Sequence, residues 1–73
     1  MELITPIAAF DVPLGGQSIE LQQVRFEAGG MALLRVRIRE GSRYTVFDVD
    51  ARTAATWARA MREWVHQRAH EEA

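Results

Sequence analysis

Three arginines at alternate positions, Arg35, Arg37 and Arg39, make the sharpest chemical pattern in the chain. In an extended strand, residues i, i+2 and i+4 share one face and stand about 7 Å apart. The three guanidinium groups therefore form a like-charged row that needs acids, water or an anionic ligand beside it. Arginine forks bind phosphate bidentately and stack on bases. With Arg25, Arg43 and Tyr44 on the adjoining segments, the row is a candidate face for single-stranded nucleic acid or another anion. The plainer reading is the solvated outer face of a two-layer domain, with Glu20, Glu27, Thr45 and the glutamines as cross-strand mates.

The other chemistry-bearing residues are sparser. His66 and His70 have the i, i+4 spacing of helical metal ligands but no clear third ligand, so two solvated histidines are expected. Asp48 and Asp50 alternate at the end of a strand, where Asp50 is better used as a helix cap. A catalytic or metal protein built on His66 and Asp48 ranks last among the readings. The glycine pairs at 15–16 and 29–30 fit no phosphate-binding pattern and read as turns. No nucleophile motif surrounds Ser18 or Ser42. The expectation is a protein without catalytic residues, cofactor or metal.

Seventy-three residues are expected to form one domain. A chain this short buries only about 60% of its unfolded surface, and with no cysteine it has no disulfide to brace it. Oligomerisation is the remaining support, so a homodimer is expected. The net charge of −1 argues against a general polyanion binder. Between Arg25 and Arg62, however, eight arginines face four acids, a basic middle that attracts anions. Lysine and asparagine are absent and alanine is frequent, the composition of a GC-rich bacterial genome. No apolar run of about 18 residues exists to span a membrane, and the first residues show no basic segment followed by an apolar one, so no signal peptide and a cytoplasmic location are expected.

The elements that must position these residues can be read from periodicity. Residues 51–69 form one amphipathic helix, capped by Asp50. Ala54, Trp57, Ala58, Met61, Trp64, Val65 and Arg68 fall on one side at the spacing of a buried stripe. Trp64 lies at the edge of that stripe toward Ala60, which makes these two residues the candidate interface. The tail at 70–73 is expected to fray.

Four strands precede the helix, at about 7–12, 18–26, 31–39 and 43–49. Met1 to Thr5 reads as a lead outside the sheet. Pro13 marks an edge strand or its end. In the second strand the two-residue period slips at Gln22-Gln23, which predicts a bulge or twist there. The third strand alternates cleanly, with Ala32, Leu34, Val36 and Ile38 opposite Leu33 and the arginine row. Short connections imply an antiparallel meander. The expected fold is α+β, a four-stranded antiparallel β-meander followed by one C-terminal amphipathic helix. Trp57, Met61 and Val65 should pack against Leu34, Val36 and Ile38, leaving the arginine face open.

The segment Arg43-Tyr44-Thr45-Val46-Phe47-Asp48-Val49-Asp50, continuing through Trp57 to Val65, resembles the last strand and helix of positive-cofactor-four-type transcriptional coactivators. The likeness lies in a strand, a capping acid and a tryptophan seven residues after the cap. It implies a homodimer that binds single-stranded DNA on its sheet. Unlike that family, the chain has no lysine and no net positive charge. As a whole it also resembles small uncharacterised proteins of bacterial genomes, which carry over no activity. The leading reading is a non-enzymatic, self-associating interaction module, with nucleic-acid binding on the arginine face as the alternative.

Overall fold

The computed structural model describes residues 1–72, with side chains through Glu71. Four strands, β1 (Leu3–Asp11), β2 (Ser18–Arg25), β3 (Leu33–Glu40) and β4 (Arg43–Val49), precede one helix, α1 (Ala51–Glu72). The sheet order is β1-β2-β3-β4 with every neighbour antiparallel. This is the expected α+β meander. Its turns are set by glycine where φ must be positive. Gly41, at φ 61°, opens the two-residue link between β3 and β4, the position a type II′ hairpin reserves for glycine. Gly29, at φ 80°, sits third in the Glu27–Gly30 turn, which the Gly30 amide closes on the Glu27 carbonyl at 3.0 Å, as in a type II turn.

Two boundaries differ from expectation at the ends of the chain. β1 begins at Leu3 and runs through Pro6 rather than starting at Ile7. Proline is tolerated because β1 is an edge strand, where a missing N–H need not break a ladder. The helix extends to Glu72 rather than to about residue 69. Its last stretch carries the Arg68–Glu71 ion pair at 2.9 Å and the edge-to-face His66 and His70 rings. Ala73 lies outside the described residues.

The irregularity expected in β2 is found in its partner. β2 pairs without interruption against β3, and the register shift falls in β1 between Pro6 and Ala8. The extra residue is Ile7, opposite the Leu21–Gln22 step, next to the Gln22-Gln23 pair where the sequence period slips. The bulge lets both strands change their apolar side together. Beyond it, Ala8 and Phe10 lie with Leu21 and Ile19; before it, Ile4 lies with Val24. The sheet thus carries apolar residues on both faces, at opposite ends.

On one face, Phe10, Ile19, Leu21, Leu34, Val36 and Ile38 line a hollow roofed by Ala54, Trp57, Ala58 and Met61 of α1. On the other, Val24 is sealed between Ile4 and Leu33 in the register. Val24 and Val36 are the two fully buried apolar side chains among the described residues. The helix is started as expected: the Thr53 amide donates to the Asp50 carboxylate at 3.2 Å and the Ala54 amide to the Asp50 carbonyl at 3.0 Å. That N-cap holds the Asp50 carboxyl below the usual carboxylate range.

With so little fully enclosed volume, Val36 should carry a large share of the stability. Val36→Ala should lower the unfolding free energy by about 2 kcal/mol, from lost transfer and an unfilled cavity. Gln67→Ala on the exposed helix face should change it by less than about 0.5 kcal/mol. Urea denaturation of the two variants beside the parent measures both.

Candidate functional site

The arginine row does share one face. β3 alternation and the registers place Leu33, Arg35, Arg37 and Arg39 with Glu20, Gln22 and Val24 of β2 and with Tyr44, Val46 and Asp48 of β4. None of it lies beneath the helix. Yet much of its charge is already matched. Arg35 donates to both Asp48 oxygens, at 2.8 and 3.1 Å, and to Glu2 at 2.8 Å. Its side chain keeps 16% exposure. This bidentate fork pushes the Arg35 pKa above its ordinary value, through Asp48 first and Glu2 second, and holds the Asp48 carboxyl below the usual range.

Arg37 reaches Glu20 at 3.4 Å, a long, part-buried contact, and stands 5.5 Å over the Tyr44 ring. Arg39 is exposed and makes no ion pair among the described residues. Arg25 and Arg43 do not join the row. Arg25 follows Val24 by one residue, so it alternates to the other face and donates to the Gly30 carbonyl in its own turn. Arg43 sits opposite Glu40 at the hairpin, one residue from Tyr44 and so of opposite parity. Glu27, an expected acidic mate, makes no ion pair there; Glu2 does instead. Glu2 had no signal in the residue pattern, because only the extension of β1 to Leu3 brings it beside Arg35.

The helix side is more open than its stripe implies. Trp57 meets Phe47 of β4 with ring centroids 6.0 Å apart. Trp57 and Met61 roof an apolar hollow of about 260 Å³ but stay 39% and 54% exposed. Val65, expected against the sheet, is 59% exposed. Trp57, Ala60, Met61, Trp64 and Val65 line a shallow apolar groove along the flank of α1. Trp64, the candidate interface residue, is 59% exposed and carries the Arg68 guanidinium 5.3 Å over its ring. Ala60 lies beside it in the same groove.

His66 and His70 stack edge to face at 4.8 Å between centroids. Among the described residues no three of His, Cys, Asp and Glu converge as a metal site would require. No helix among them is long and apolar enough to cross a membrane.

A family model described as a family of unknown function (DUF6967) matches residues 1–67, and the chain belongs to that family. No curated protein and no solved structure matches the chain, so the likeness of its last strand and helix to positive-cofactor-four-type coactivators gains no support from these comparisons.

The Arg35–Asp48 pair makes stability depend on pH. A carboxyl whose folded pKa is depressed contributes stability that is complete above its unfolded value, near 3.9, and is lost as pH falls through the folded value. Asp48→Asn should therefore lower stability at neutral pH. It should also lose less between about pH 5 and pH 2 than the parent does. Urea midpoints across that range test this, and parallel acid profiles for the two proteins would refute it.

Proposed function

We propose that this member of the family is a non-enzymatic interaction module that works as a homodimer, its two copies meeting on the apolar flank of α1. The supporting observation is the amount of surface one copy leaves uncovered. A compact monomer of 8.3 kDa exposes about 4,600 Å² by area–mass scaling. This chain exposes 6008 Å², roughly 1,400 Å² more. A standard interface takes about 800 Å² from each partner. The radius of gyration agrees, at 14.8 Å against about 11 Å for a compact chain of this length.

The excess is apolar where it matters. Trp57, Met61, Trp64 and Val65 stand exposed along one groove, and tryptophan is the side chain most enriched among residues that dominate association energy. A second copy is the occupant that fits, because the same groove is offered by every chain and an isologous contact closes on itself. Single-stranded nucleic acid on the arginine row has less behind it. Arg35 is held in a two-carboxylate clamp and Arg37 leans on Glu20, so only Arg39 and the exposed Tyr44 remain to grip a phosphate or a base.

Sedimentation equilibrium should find a dimer in the micromolar range. Trp64→Glu should weaken it by about thirtyfold or more, the equivalent of about 2 kcal/mol. Helical circular dichroism should be retained in that variant, since Trp64 is more than half exposed. A clean monomer at millimolar concentration would remove the reading.

A further inference from the structure

We infer that the second copy adds along β4, so that two sheets join edge to edge into one continuous antiparallel sheet with both helices on the same side. The inference rests on the self-association proposed above and specifies its line of contact. It comes from a difference between the two edges of the sheet. β1 is guarded: Pro6 has no N–H to offer and the Ile7 bulge breaks the regular spacing of its outer groups. β4 is not. Its seven residues, Arg43–Val49, include no proline, no glycine and no register shift against β3. Tyr44, Val46 and Phe47 are all exposed. A straight strand of β-branched and aromatic residues with an open row of backbone donors and acceptors is a template for another strand.

The helix marks the same edge independently. Ala54 and Ala58 face the sheet, and Trp57 is turned from them toward Phe47 of β4. At 100° per residue, Ala60 and Trp64 lie on the Trp57 side of the helix, farther round from the sheet. The uncovered apolar flank therefore stands above the β4 edge and not above β1. A two-fold axis beside β4 brings the two flanks toward each other across the joined sheet, where Trp57, Ala60 and Trp64 of each copy cover those of the other.

Register follows from parity. Residues opposite one another in an antiparallel pair share a face, so the two-fold must pass at a residue. Val46 is the centre of β4, and an axis there overlaps the whole strand. Val46 then faces Val46 of the partner subunit on the arginine side, with Tyr44 opposite Asp48 of the partner subunit. On the helix side Thr45 lies opposite Phe47 of the partner subunit, and Arg43 opposite Val49 of the partner subunit. No like charges meet, which an edge-to-edge contact requires.

Cysteine crosslinking tests this cleanly, because the chain has no cysteine of its own. Opposed Cα atoms in an antiparallel pair stand about 4.5–5.5 Å apart, within the range a disulfide spans. Val46 is half exposed, so Val46→Cys should fold, and a parent-like melting curve verifies it. Under mild oxidation Val46→Cys should form a covalent dimer at least about tenfold faster than Arg43→Cys, whose two copies would lie about 20 Å apart across the axis. A chain that sediments as a dimer but crosslinks no faster at 46 than at 43 overturns the β4 assignment and leaves self-association standing. A monomer overturns both.

Discussion

A single helix can roof only the middle of a four-stranded sheet, and the rest of this structure follows from that limit. A helix with its side chains is about 10–12 Å across, while four strands spaced about 4.8 Å apart present a wider face. Val36, on β3 and under the helix, is sealed. Phe10 on β1 and Phe47 on β4, at the two margins of the same face, are not. Leaning Trp57 toward Phe47 covers part of the β4 margin, but Trp64, on the same flank of the helix, stays exposed.

The chain meets this shortage partly within itself. The Ile7 bulge turns the apolar residues of β1 and β2 to the opposite face at one end of the sheet, and there Val24 is enclosed between Ile4 and Leu33. That second cluster needs no helix. It shares its face with the clamp of Arg35 by Asp48 and Glu2, which sets two carboxylates against one guanidinium of the row. The arginine face is thus more a closed structural surface than an open floor. On the helix side Trp57, Met61, Trp64 and Val65 leave apolar surface uncovered.

Much of this was legible in the residues. The alternation of β3, the Asp50 cap and the i, i+3, i+4 stripe of α1 each reflect local backbone geometry, and both elements are present, though β3 starts at Leu33 and α1 runs to Glu72. The slip in β2 was visible too, but not its consequence. A change of period in one strand can be absorbed by either partner, and only pairing showed that Ile7 takes it up. The same holds for Glu2: nothing in Met1 to Thr5 distinguishes a loose lead from an edge strand crossing Pro6.

What the sequence by itself determined is the set of elements, their order and which side of each is apolar, because periodicity and turn chemistry act over a few residues. Tertiary structure decided which charges meet and which apolar residues stay uncovered. Arg25 and Arg43 left the arginine row by strand parity, which depends on registers between distant segments. Val65 stayed in the open although it shares the helical stripe of Met61, because the closeness of α1 to the sheet is set between elements. Those outcomes depend on distances between elements, and spacing along a chain does not contain them.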